Sequence, residues 1–505
     1  MHREFFELMA EQFQGLAFPD VTLKTGFSQI PPSLVSLETR FSRNVPLKIP
    51  LVSAAMDTVT ESEMAIAMAI HGGLGVIHRG LDPKRQAQEV ARVKHHLHGV
   101  IERPITVRDT DTIEQILNRK RTKNYRFNTF PVIDGNGKLV GLMTETDFAF
   151  ASDKSVTAAV AMTSFNELVY GSPGLSPQDA WEKMRQSGKK KVLPLIDPEG
   201  RLVGMYVFAD VQRIISGDAN AYNLDSKGRL RVAAAIGVLD DAYEHVPLLI
   251  KEGVDAVVVD VAHADTIDVK ETCQCLKRDY SGVDVVLGNI SDQDSVKRHI
   301  EWGADGVKIG QGPGSICTTR LVTGAGFPQF TAIGDCAIAS MDSDDPVPIG
   351  GDGGIKYSGH ITLALAAGAS YVMVGSLLAG TDETPGETHK RGEIRVKRYR
   401  GMGSASAMAE SRASRARYRQ EDAPQGKTVP EGVEGDVPTR GPVSKVIAVL
   451  MGGLRSGMGM VGTVSVPDLQ GKAHFKRLTP SAQGEGHPSG LLGMEATSNY
   501  PGGVS

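Results

Sequence analysis

The 505-residue sequence predicts an α/β protein: a (β/α)8 barrel interrupted by one inserted module. Three observations carry that expectation. Apolar, strand-like runs alternate with helical stretches along most of the chain, which is the βα pattern of a parallel sheet. Seven of these runs end in polar or glycine-rich turns, more chemistry-bearing ends than usually meet at the switch point of a doubly wound sheet. One segment between the second and third of the seven runs carries an in-register internal repeat.

The seven runs come in order. Leu51-Val52 leads into Ser53-Ala54-Ala55-Met56-Asp57, and Gly75-Val76-Ile77 into His78-Arg79. Ala256–Val259 leads into Asp260, and Val285-Val286-Leu287 into Gly288-Asn289. Val307-Lys308-Ile309 meets Gly310-Gln311-Gly312-Pro313-Gly314, Pro348-Ile349 meets Gly351-Asp352-Gly353-Gly354, and Tyr371–Val374 meets Gly375-Ser376. In a barrel those C-terminal strand ends build one site.

The repeat pairs Phe130–Gly141 with Leu193–Gly204, so that Pro131 matches Pro194, Asp134 matches Asp197, and Asp147 matches Asp210. Each copy reads as strand, turn, strand, helix, preceded by a helical stretch at Thr112–Arg121 or Ser176–Ser187. The expected organisation is residues 1–95 as the first part of the barrel, 96–218 as the module, and 219–505 as the remainder with a flap and a C-terminal tail.

Composition sets bounds on function. A formal net charge of −4 is too near zero to imply nucleic-acid or membrane binding, and no run of 18 apolar residues occurs. Four cysteines are too few for a disulfide framework in a chain of this length, and the start Met1–Phe6 lacks a signal-peptide core. A reducing, cytoplasmic location is expected. The stretch Gly310–Arg320 stands out, because its glycines let backbone N–H groups approach an anion and Cys317 sits where those dipoles and Arg320 would lower a thiol pKa. The competing reading is a glycine loop with an inert cysteine.

The repeat resembles a tandem pair of CBS domains, a family in which an Asp after the second strand holds a nucleotide ribose. Thr144 with Asp147, and Asp210, match that position; alternatively both aspartates are helix N-caps. The segments SAAMDTVT (Ser53–Thr60), GQGPGSICTTR (Gly310–Arg320), DGGI (Asp352–Ile355), VGSLLAG (Val374–Gly380) and YRGMGS (Tyr399–Ser404) resemble the IMP dehydrogenase and GMP reductase superfamily, and the similarity spans nearly the whole chain. The resemblance implies that Cys317 attacks C2 of a purine nucleoside monophosphate. It implies a phosphate site at Ser315, Gly354, Gly375, Ser376 and Tyr399, ribose recognition by Asp352, and base contacts from Met402, Gly403 and Glu431. Asp260, Asn289, Gly310 and Gly312 would serve the NAD side. Carbonyls of Gly312, Gly314 and Cys317 would hold potassium, completed by Glu485, Gly486 and His487 of a neighbouring subunit.

Both branches of the superfamily share these motifs. The dehydrogenase branch also needs a water-activating pair on a mobile flap, matched by Arg417-Tyr418 ahead of Pro430–Gly435, with hinge candidates Gly401 and Gly403 and a parallel proton route through Thr319. The reductase branch needs a glutamate where this chain has Ala405, and the nearest acid, Glu410, is out of register. Two features point the other way: Val261–Thr266 after Asp260 is closer to the reductase pattern, and Gln311 replaces an apolar residue. The expected activity is NAD-dependent oxidation of IMP to XMP in guanine nucleotide synthesis, through a thioimidate on Cys317. The alternatives are NADPH-dependent GMP reduction and a nucleotide sensor that has lost turnover. The resemblance further implies a homotetramer, pairing to an octamer through the CBS domains, with regulatory purine nucleotides bound there.

Overall fold

The computed structural model describes residues 3–489 apart from 97–99, 102–103, 124, 126, 150, 152, 189–190, 216–217 and 425–426; the tail after residue 489 lies outside the described residues. The chain divides into two compact units.

The larger unit runs to Lys94 and resumes at Tyr222–Asp225 and from Leu230 onward. Its centre is a closed eight-stranded parallel barrel. The strands are β1 (Leu51–Ser53), β2 (Leu74–Ile77), β3 (Ala233–Ile236), β4 (Ala256–Asp260), β5 (Asp284–Ile290), β6 (Gly306–Ile309), β7 (Ile349–Asp352) and β8 (Tyr371–Val374). Neighbours follow chain order, and β8 closes on β1 in register Val372↔Leu51. A helix follows each strand, from Ser62–Ile70 after β1 to Val443–Val461 after β8. The strands are buried on both faces, and so read as nearly continuous apolar runs rather than alternating ones.

The seven anticipated runs are β1, β2 and β4–β8; the eighth strand, β3, is Ala-Ala-Ala-Ile. Alanine prefers helix, but Ala233 and Ala235 pack into the same core cluster as Phe41 and Tyr371, where tertiary packing overrides local preference. Opposite them, Gly350 leaves room for the Tyr371 ring: a Cβ there would lie 2.2 Å from its Cζ. Among the described residues no single helix is long and apolar enough to cross a membrane.

The smaller unit comprises His95–Ala221 and Ser226–Arg229. In its first half, Phe130–Ile133 pairs antiparallel with Leu139–Met143, and in its second, Val192–Ile196 pairs with Leu202–Val207. Each pair has its own apolar core, one around Ile113, Ile116 and Phe130, the other around Met184, Leu193 and Tyr206. Neither Asp147 nor Asp210 is a helix N-cap, contrary to the alternative considered from sequence. Each is the third residue of its helix, Glu145–Ala149 or Phe208–Ile215. Asp147 Oδ2 accepts from Thr144 N (2.6 Å) and Thr144 Oγ1 (3.0 Å), the acidic half of a capping box.

Two buried histidines tie the barrel's stability to pH. Burial pulls both His299 and His360 down to about 4. Between the unfolded value and about 4, the unfolded chain binds more protons than the folded one, so stability is full above about pH 6.5 and falls as pH drops toward 4. Urea midpoints measured from pH 7.5 to 4.5 should decline, and His299→Gln should flatten part of that decline. Gly350→Ala should overpack the barrel and cost about 1–3 kcal/mol in the same measurement.

Candidate active site

The strand ends converge on one pocket. It is lined by Met56, Asp260, Asn289, Lys308, Cys317, Asp352, Tyr399, Met402, Gly403, Arg417, Tyr418 and Glu431, with backbone from Gly310, Gly312 and Gly314. At its floor lies Lys308, a β6 residue that is 1% exposed. Its Nζ donates to Asp352 Oδ2 (2.6 Å) at the end of β7, pairs with Asp260 Oδ1 (3.0 Å) at the end of β4, and also contacts Asn289 Oδ1. Asn289 Nδ2 in turn donates to Gly310 O (2.6 Å) and Asp352 Oδ2 (3.0 Å). A buried ammonium requires partners of this kind, and here four strands supply one connected polar set.

Cys317 stands on the glycine loop after β6, its thiol donating to Thr319 Oγ1 at 3.2 Å. Arg320 lies within electrostatic reach of this thiol, and its guanidinium also binds loop carbonyls, Nε donating to Gln311 O (3.0 Å) and Nη2 to Phe327 O. Arg320 therefore shapes the loop. The other side of the loop is held by the segment around Glu431: Thr318 N donates to Glu431 O (2.9 Å) and Val433 N to Ile316 O (2.9 Å). Of the remaining cysteines, Cys273 and Cys336 are buried, and burial pushes the Cys273 thiol up to about 12.

The resemblance assigns a further group of residues to a phosphate. The Tyr399 hydroxyl donates to Met56 Sδ (3.8 Å) and is pushed up to about 12, chiefly by burial, which Ser315 opposes. A Cβ on Gly375 would lie 2.9 Å from that hydroxyl, and one on Gly354 would lie 3.4 Å from Pro313. The backbone N–H groups of Ser315, Gly354, Gly375 and Ser376 donate to no partner among the described residues. Four free N–H groups around two hydroxyls suit a phosphate.

Two short helices, Ala405–Glu410 and Arg412–Arg417, form the flap. Arg417 reaches back into the pocket, its Nη1 against Asp260 Oδ2, while its carbonyl accepts from Ala262 N at 3.0 Å. Burial lowers the Arg417 pKa; Tyr418 opposes this and the charge of Arg79 adds to it. Burial raises Tyr418. Gly403 is glycine because the Tyr418 ring lies on it, 2.6 Å from where a Cβ would be. Neither Gly401 nor Gly403 has a positive φ, so close approach, not left-handed backbone, is what both positions require.

Of the residues expected from sequence, Thr319, Ser315, Gly354, Gly375 and Ser376 are outside the pocket lining, the first on the thiol and the others in the adjacent anion cradle. Glu485, Gly486 and His487 are exposed at the end of helix Pro480–Glu485 and do not line this chain's pocket. Thr144, Asp147 and Asp210 belong to the smaller unit. Sequence reasoning missed Lys308, Arg79 and the Asp57–Arg400 pair (2.7 Å) that anchors the flap's base. For Lys308 a signal existed: a lysine inside a short apolar strand run must be paired if the strand is buried. Lys308→Met should leave two acids facing each other, costing about 3–5 kcal/mol in denaturant titration and weakening nucleotide binding by calorimetry.

Comparisons with known proteins place the chain in a family. The family model "IMP dehydrogenase / GMP reductase domain" matches residues 15–489. Inosine-5'-monophosphate dehydrogenase of Aquifex aeolicus is 43% identical over 489 residues, covering 96% of this chain and 98% of its own length. The Bacillus subtilis protein of the same name is 41% identical over 492 residues, with 96% and 98% covered. Among solved structures, a GMP reductase of Trypanosoma brucei in complex with guanosine 5'-monophosphate superposes with a TM-score of 0.85 at 34% identity, covering 95% of this chain and 98% of that one. With a family model over residues 15–489 and relatives 43% and 41% identical over nearly its whole length, the chain belongs to the IMP dehydrogenase / GMP reductase family.

Proposed function

We propose that this chain is an oxidoreductase that converts IMP to XMP with NAD. The observation that carries the choice within the family is Arg417 with Tyr418, seated in the pocket on Asp260. The Cys317 thiolate adds to C2 of the purine, a hydride leaves that carbon, and a thioimidate remains on sulfur. NAD, when bound, supplies the hydride acceptor. Water then attacks C2, its proton passing to the Arg417–Tyr418 pair, and the carbon–sulfur bond breaks to release XMP and the thiolate. Burial lowers the Arg417 pKa, the direction a proton acceptor needs, while the ion pair with Asp260 favours the charged form. Asp352 suits the ribose hydroxyls, and Ser315, Tyr399 and the free N–H groups of Gly354, Gly375 and Ser376 suit the phosphate.

The cofactor side rests on Asp260. Its Oδ2 faces Arg417 and its Oδ1 faces Lys308. A nicotinamide ribose diol would take the oxygen that Arg417 now holds, so dinucleotide and closed flap exclude each other. Asn289, Gly310 and Gly312 would border it. For potassium, the carbonyls of Gly312 and Cys317 accept no hydrogen bond among the described residues, while that of Gly314 accepts from Cys317 N at 3.1 Å. Loop carbonyls of this kind suit a hard cation. Glu485, Gly486 and His487 of a neighbouring subunit would complete the set, which fits the oligomeric habit of the family. In this reading the chain is a homotetramer, pairing into octamers through the smaller unit, where Thr144, Asp147 and Asp210 would hold regulatory purine nucleotides.

GMP reduction is the second reading, favoured by the similarity to the Trypanosoma brucei reductase. It lacks an acid in place: Ala405 occupies the position, and Glu410 is bound to Arg400 (2.7 Å) outside the pocket lining. Absorbance at the reduced-nicotinamide band separates the readings. With potassium present, IMP plus NAD should give a rise, and GMP plus NADPH should give no fall; the reverse result establishes the reductase, and silence in both with nucleotide bound establishes a sensor. Cys317→Ala should abolish both hydride transfer and the covalent adduct. Arg417→Ala should keep the first burst of NADH and slow hydrolysis by about 100-fold or more, the scale of losing a general base.

A further inference from the structure

The closed flap is held by more than its catalytic arginine. Immediately after Tyr418, Arg419 takes a left-handed φ of 55°, and its guanidinium pairs with Asp268. Asp268 lies in the first turn of helix Ile267–Asp279, whose N-cap is Thr266. That helix begins where the turn after Asp260 ends. The flap thus meets one continuous stretch of β4-following chain at three points: Arg417 on Asp260, the Arg417 carbonyl on Ala262 N–H, and Arg419 on Asp268.

This stretch is itself braced from the opposite side. Gln311 Nε2 donates to His263 Nδ1 (2.9 Å) and to Ala262 O (3.3 Å), and Gln311 Oε1 accepts from Ser291 Oγ (2.6 Å). Asp265 is tied to Ser295 Oγ (3.0 Å) and to Arg298 Nε (2.9 Å). The platform is thus held by contacts that do not involve the flap.

We propose that Arg419 and Asp268 form a latch that sets the fraction of time the flap is closed, making Arg419 a positioning residue for water attack rather than a catalytic one. The inference rests on the proposed function for its kinetic consequence, though not for its structural one. The pair is partly exposed, with side chains 61% and 29% accessible, so its leverage is that of a surface ion pair, about fivefold at most in the closed-to-open ratio. Opening the flap removes a competitor of the dinucleotide and leaves the Cys317 addition untouched. Turnover should therefore fall while KM for NAD also falls, a combination that general destabilisation does not produce.

The test uses the full chain with Arg419→Ala, Asp268→Asn, and the exchanged pair Asp268→Arg with Arg419→Asp. Hydrogen–deuterium exchange of peptides spanning 405–424, without ligand, should speed up by about two- to fivefold in each single variant and return toward the parent in the exchanged pair. In stopped flow with IMP and NAD, the NADH burst should be unchanged in all variants, while steady-state turnover and KM for NAD drop together in the single ones. Unchanged exchange in both single variants overturns the latch, and so does loss of the burst along with turnover. If the parent protein itself gives no burst, the proposed function fails, and the exchange data alone then decide the latch.

Discussion

The site depends on one buried charge. Lys308 Nζ lies among Asp260, Asp352 and Asn289, groups brought to the same point by β4, β7 and β5. An ammonium removed from water at this depth is stable only when such partners are held at contact distance, and each partner is in turn held by it. The cluster therefore ties the strand ends together across the barrel mouth. It also leaves two carboxylates to one lysine, an acidic surplus directed toward the flap.

That surplus explains the arrangement above it. Asp260 presents one oxygen to Lys308 and the other to the opening, where Arg417 now neutralises it. Any neutral ligand that binds there in place of Arg417 must bring hydrogen-bond donors to the freed oxygen. One carboxylate can thus serve successive steps, because its inner oxygen is fixed by the barrel while its outer oxygen changes partner. Arg79, buried just behind and 3.5 Å from Asp241, adds a second positive charge that keeps Arg417 from being over-stabilised.

How much of this was legible in the sequence follows from how local each signal is. The barrel could be read because seven strands end in unusual turns, and residue type changes abruptly there. β3 could not, because three alanines carry no strand preference of their own and become a strand only against Tyr371 and Phe41. Cys317, Asp352, Tyr399 and Glu431 were visible as parts of short motifs. Lys308 was hidden in plain view, since its significance needs Asp260 and Asp352, which lie 48 and 44 residues away. Arg320 was visible only in part: adjacency in sequence suggested the thiol, while the two carbonyls it also binds are brought to it by the folded loop.

The residues that pointed in the opposite direction, Val261–Thr266 and Gln311, meet each other in the fold. Gln311 fills the gap between the glycine loop and the Asp260 turn with hydrogen bonds to Ala262, His263 and Ser291, where an apolar residue would make none. A polar turn facing an apolar wall would leave donors and acceptors unpaired at the rim of the pocket, at a cost of about 1–3 kcal/mol for each one buried. Paired as they are, the two departures form a single brace on the platform that receives the flap. They brace the stretch whose Ala262 N–H meets the Arg417 carbonyl. The two departures that stand apart in the sequence, at 261–266 and at 311, are thus neighbours in three dimensions, joined by the side chain of Gln311.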